Sequence, residues 1–148
     1  MPGCLKVGLL VVGVIILLIT AIGVGGYLFW KYNGEAIVAG AQGAEDEGRR
    51  FGSGKDSTAC VDEAAKRAKG AGFSAAVTTR IFLENCLKAA RLTDGFCDGV
   101  PGATDFLKSV SWQTQLNQKY GLNPPFETAV VPQSIQQFCK GRPAATQR

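Results

Sequence analysis

The sequence predicts an all-α protein: a single N-terminal transmembrane helix plus a small disulfide-stapled helical domain of about four helices. Three observations carry the prediction. An uncharged apolar run of 24 residues lies near the N-terminus. Beyond it, apolar side chains recur at spacings of three and four between Gly and Pro breaks, and four of the five cysteines fall in that region. The expected organisation is a short N-terminal tail (1–6), the transmembrane helix (7–30), a Gly/Ala-rich juxtamembrane spacer (31–55), the cysteine-containing helical domain (56–140) and a disordered tail (141–148).

Charge is distributed as this division requires. Lys6 is the only charged side chain among the first 30 residues, and no acidic residue precedes Glu35. From Tyr32 onward, 14 Lys and Arg face 12 Asp and Glu, so the soluble part is nearly balanced although the whole chain carries a formal +4. Its cations alternate with anions, as in Asp62 with Lys66 and Glu63 with Arg67. That is the pattern of solvated helix faces rather than a phosphate-tracking stripe, so no nucleic-acid partner is expected.

The run Val7 to Trp30 covers about 36 Å as a helix, enough to cross a hydrocarbon core of roughly 30 Å with some tilt. Tyr27 and Trp30 beside Lys31 are the expected interface anchors, aromatic rings at headgroup level with a cation just outside. A cleaved signal peptide needs a shorter apolar stretch and a prompt small-residue cleavage site, so an uncleaved signal-anchor is the expectation. Ala21 and Gly25 form a small-xxx-small pair, the expected site of membrane-helix packing by self-association or against a partner membrane protein. The lipid bilayer is the first partner.

The spacer is rich in glycine, each of which weakens a helix by up to ~1 kcal/mol relative to alanine. It is therefore expected to be a frayed helix or a flexible connection. Asp56, Ser57 and Thr58 are cap candidates for a first domain helix whose apolar repeat, Cys60, Val61, Ala64, Ala65 and Ala68, stops at Gly70 and Gly72. Ser74 is the expected cap of a second helix with Val77, Ile81, Leu83, Cys86, Leu87 and Ala90 inward. A third, from about Thr104 to Tyr120, is expected to bury Phe106, Leu107, Val110, Trp112, Leu116 and Tyr120. Pro124 and Pro125 forbid helix, and Pro132 is expected to open the last helix as its first residue, followed by Ile135, Phe138 and Cys139.

Cys60, Cys86, Cys97 and Cys139 are the disulfide candidates. Four cysteines allow three pairings. A hairpin about Gly70 to Gly72 would place Cys60 and Cys86 at similar heights on facing helices, which leaves Cys97 for Cys139. Disulfides persist in oxidising compartments, so the expected localisation is membrane, single-pass, with the N-terminus cytoplasmic and the domain extracytoplasmic, whether periplasmic, extracellular or lumenal.

The chain contains no histidine, which removes Cys-His and Ser-His catalysis and every His-containing zinc site. A four-cysteine zinc site would have gaps of 25, 10 and 41 residues, without the paired knuckles such sites use. Asp94 and Asp98 flank Cys97 in a stretch whose Asp-Gly pairs mark tight turns. No catalytic residue, metal or cofactor is expected. The functional expectation is a membrane-tethered, non-enzymatic interaction module. The alternatives are a small accessory subunit of a larger membrane complex that acts mainly through its transmembrane helix, and a thiol-redox carrier.

Overall fold

A computed structural model describes residues 2–102, 104–123, 127–140 and 142; of the side chains at positions 2–7 and 9 nothing is stated. Among the described residues it contains five helices and no strand: α1 (Pro2–Ser53), α2 (Ser57–Ala68), α3 (Phe73–Ala89), α4 (Phe106–Tyr120) and α5 (Glu127–Cys139). The chain divides into two units, residues 1–39 and 40–148. The loop at Pro124 and Pro125, and the tail at 141 and 143–148, lie outside the described residues.

The first unit is the leading part of α1. From Leu10 onward it is long and apolar enough to cross a membrane, and none of its most apolar window is buried within the protein. Helix begins at Pro2, so residues 2–6 of the expected tail belong to the same element.

The second unit starts with the end of α1, and here the structure corrects the expected frayed spacer. Helix continues without interruption to Ser53. The reason is packing. Ala44, Gly48 and Gly52 are buried at intervals of four, so their missing or minimal side chains lie on one face, against α3. A Cβ on Gly48 would stand 2.4 Å from the Phe82 carbonyl oxygen, and one on Gly52 equally close to that of Cys86. Glycine here permits backbone to approach backbone, and this close packing against α3 outweighs the loss in helix propensity. Phe51 meets Phe82 edge-on, with centroids 5.8 Å apart.

Asp56 caps α2 by accepting from the Ala59 N–H at 2.8 Å. The α2 repeat is buried as its spacing predicts, with Cys60, Val61, Ala64, Ala65 and Ala68 in the core. Helix α3 begins one residue before Ser74, after a Gly72 cap that makes no side-chain bond. Its buried face is Ala76, Thr79, Phe82, Leu83, Cys86 and Leu87. Val77 points outward and Phe82, fully buried, takes the central place. The two helix ends are tied by backbone: Ser57 N–H donates to the Arg91 carbonyl, and Arg91 N–H to that of Lys55, at 3.0 and 3.1 Å.

Helix α4 departs furthest from expectation. Phe106, Leu107 and Val110 are exposed, at 73, 79 and 47 %. Trp112, Leu116 and Tyr120 pack partly against the core. All six cannot face one neighbour, because they occupy too wide an arc at 100° per residue. The helix ends on Gly121 in the left-handed region, with Leu122 N–H returning to the Asn117 carbonyl at 2.9 Å. That closing turn buries Leu122.

Helix α5 begins at Glu127, and Pro132 lies inside it rather than at its start. A proline there leaves the carbonyl four residues back without its donor. That carbonyl belongs to Thr128, and the Asn117 side chain donates to it at 3.1 Å. Glu127 joins two turns, its carboxylate accepting from Gly70 N–H at 2.6 Å and Asn123 N–H at 2.9 Å.

Candidate functional site

The four domain cysteines form two disulfides, Cys60 with Cys86 and Cys97 with Cys139, the pairing expected from the hairpin geometry. The first joins α2 to α3 across a Cα–Cα distance of 5.8 Å; the second ties the loop after α3 to the end of α5 across 5.5 Å. All four cysteines are buried.

On the leading part of α1, Ala21 lines a shallow apolar groove with Gly13, Ile16, Leu17, Thr20 and Val24. Gly25 stands one turn on with open space about it. Thr20 turns its hydroxyl back to the Ile16 carbonyl at 2.8 Å, so this stretch presents no free hydroxyl there. Tyr27, Trp30 and Lys31 are exposed. The Trp30 indole lies along the helix over Gly34, where a Cβ would be 3.3 Å from the ring. Gly34 is thus the seat of the indole, a role that no motif in the sequence marks.

Arg67 is the electrostatic centre of the domain. Its guanidinium donates to both Glu47 carboxylate oxygens, at 2.8 and 3.0 Å, and to Glu63 at 3.0 Å. Its plane also sits 3.9 Å over the centre of the Phe82 ring. The hydrogen bond to Arg67 is the main cause holding the Glu47 carboxyl below its ordinary value, and Arg67 is correspondingly raised. A hollow beside this pair is walled by Gly40, Gly43, Ala44, Ala75, Thr78 and Thr79. Its charges satisfy one another, so the arrangement clamps α1 to α2.

A different cleft, of about 390 Å³, lies where the loop at Val100 to Gly102 faces α5. It is lined by Arg80, Gln133, Gln136, Gln137 and Lys140, with Cys139 of the second disulfide at its wall. Gln136 is fixed: its amide donates to the Pro101 carbonyl at 3.2 Å and to Ser109 Oγ at 2.6 Å, and its oxygen accepts from Gln113 at 2.8 Å. Arg80 is steadied by Glu84, which accepts from Nε at 2.9 Å. This cleft was not expected from the sequence, although Gln133, Gln136, Gln137 and Lys140 recur at the spacing of one helix face.

Among the described residues no group of three or more Cys, Asp or Glu side chains is placed to hold a metal ion. Asp94 and Asp98 stand in a stretch of tight turns with Gly95 and Gly99 at positive φ. Comparison with protein-family models, with curated proteins and with solved structures finds no match to the chain.

Proposed function

We propose that the chain is a membrane-tethered, non-enzymatic interaction module, with its helical domain on the non-cytoplasmic side and its N-terminus in the cytoplasm. One observation carries the reading: a single chain joins an apolar helical stretch with exposed side chains to a domain whose four cysteines are all paired. Leu17, Ile19 and Ile22 each expose more than 60 % of their surface. Apolar surface costs roughly 25 cal/mol per Å² in water, so a continuous run of such residues calls for lipid around it. Paired, buried cysteines support an oxidising compartment. A rigid domain stapled by two disulfides is suited to presenting a surface.

A second reading, an accessory subunit acting through its transmembrane helix, draws on the groove at Ala21, which leaves room for a neighbouring helix. Substituting Ala21→Leu would fill it and strip such a partner during purification in mild detergent.

Labelling of intact cells with a membrane-impermeant maleimide, with and without reductant, tests the main reading. Cys60, Cys86, Cys97 and Cys139 should gain label from outside only after reduction. Labelling of all four without reductant, and only after lysis, would overturn both the orientation and the staples.

A further inference from the structure

We propose that the cleft between α5 and the Val100 to Gly102 loop docks an acidic, extended peptide segment of a partner protein. This rests on the reading of the chain as an interaction module and names the chemistry of its partner.

Size comes first. At about 390 Å³ the cleft falls within the roughly 300–1,000 Å³ of ordinary ligand sites. Charge then sets the sign of the ligand. Arg80 and Lys140 line the cleft and no carboxylate does. Glu84 engages Arg80 through Nε, which orients the guanidinium and leaves its terminal nitrogens without a partner among the described residues. That exposed fork suits a carboxylate. Glu84 offsets one charge and the carbonyl end of α5 about half of another, so Arg80 and Lys140 leave the cleft with a small positive excess.

Hydrogen-bonding capacity selects a peptide over a phosphate. Gln133 and Gln137 have no side-chain partner among the described residues, and each offers two N–H donors together with an oxygen acceptor. Main-chain amides present the matching mixture. A phosphate near neutral pH carries at most one or two O–H donors, so it leaves most of the acceptor capacity of the glutamines unused. Val100 and Pro101 supply an apolar wall for the methylenes of an acidic side chain. The Cys97–Cys139 disulfide and the Gln136 bond to Pro101 hold that wall in place before any ligand arrives.

The test uses the full oxidised chain in a non-ionic detergent, with fluorescein-labelled octaglutamate read by anisotropy. Octalysine and inorganic phosphate serve as comparison probes. Octaglutamate should bind saturably, and R80Q and K140Q should each weaken it about fivefold, the size of one exposed charge pair. K119Q, which removes a cation outside the cleft, should leave binding unchanged. Equal losses in K119Q and R80Q would reduce the effect to net charge and overturn the site. So would octaglutamate binding that survives both cleft substitutions, although the interaction reading would then stand with its surface elsewhere. Phosphate binding without octaglutamate binding would overturn the peptide assignment. Failure of the topology and the staples on which the interaction reading rests shows separately, in the maleimide labelling.

Discussion

Gly48 and Phe82 meet backbone to backbone: a Cβ on the glycine would lie 2.4 Å from the phenylalanine carbonyl oxygen. No rotamer relieves that approach, because both atoms are main chain or fixed to it. Gly48→Ala and Gly52→Ala should therefore each destabilise the domain by about 1–3 kcal/mol, the ordinary cost of overpacking, despite the better helix propensity of alanine. Gly43, which faces open space, supplies the contrast. Gly43→Ala should raise stability by about 0.5–1 kcal/mol. Denaturant unfolding of the full chain in detergent, followed by near-ultraviolet circular dichroism, compares the three.

Asn117 compensates for Pro132. Its amide occupies the Thr128 carbonyl that the proline cannot serve, so the two residues should be energetically coupled. Asn117→Ala should cost about 1 kcal/mol in the native background, by leaving a half-buried carbonyl unpaired. In a Pro132→Ala background the restored N–H takes that carbonyl, and the same substitution should cost measurably less. A double-mutant cycle gives the difference; strict additivity would show that the bond carries no such role.

The disulfides differ in access. Cys60 and Cys86 are fully buried, whereas Cys97 and Cys139 keep 7 and 8 % of their surface. Under graded native reduction, Cys97–Cys139 should open first, and the opened species should lose roughly 2–4 kcal/mol of stability. Trapping with an alkylating agent, followed by peptide mass mapping, identifies the order. Opening Cys60–Cys86 first would contradict it.

Tyr120 donates its hydroxyl to Asp62 at 2.9 Å, bringing α4 to α2. Burial, and then this hydrogen bond and the charge of Asp62, push the phenol up to about 12 from an ordinary 10. The folded state therefore holds the proton more tightly than the unfolded state. Its contribution to stability is complete below pH 10 and is lost as pH rises through about 12. Asp62→Asn should lower the Tyr120 midpoint only part of the way, since burial is the largest single cause and remains. Absorbance titration at the phenolate band, with Tyr120→Phe to assign the signal, reads it.

What the sequence made legible follows from which forces act locally. The cysteine pairing and the α2 face were readable, because a short hairpin about Gly70 leaves few options and Cys60, Ala64 and Ala68 recur at one turn. Helix propensity misled at residues 34–53. A glycine that weakens an isolated helix and a glycine that admits a neighbouring backbone look alike until the neighbour is known; the spacing of Ala44, Gly48 and Gly52 was the available signal. Apolarity misled at Phe106 and Leu107 for the opposite reason, since hydrophobic character does not state which face finds a partner. Local rules make Pro132 a helix start, and only the distant Asn117 makes it tolerable inside one. The cleft on α5 went unseen because glutamines carry no charge to draw attention, and their value depends on Arg80 and the Pro101 loop.

Helix α4 contains no fully buried side chain, and its hold on the domain is the half-covered row of Trp112, Leu116 and Tyr120 together with hydrogen bonds to Asp62, Thr128 and Gln136. Amide protons there should exchange with solvent well ahead of those in α2 and α3, because releasing α4 uncovers little of the disulfide-braced centre. Such a release would free Ser109 and Gln113 together, and with them two of the bonds that hold Gln136. Gln136 thus joins α5 and the Pro101 loop to α4, so a ligand seated beside it would slow exchange along α4 without touching most of that helix.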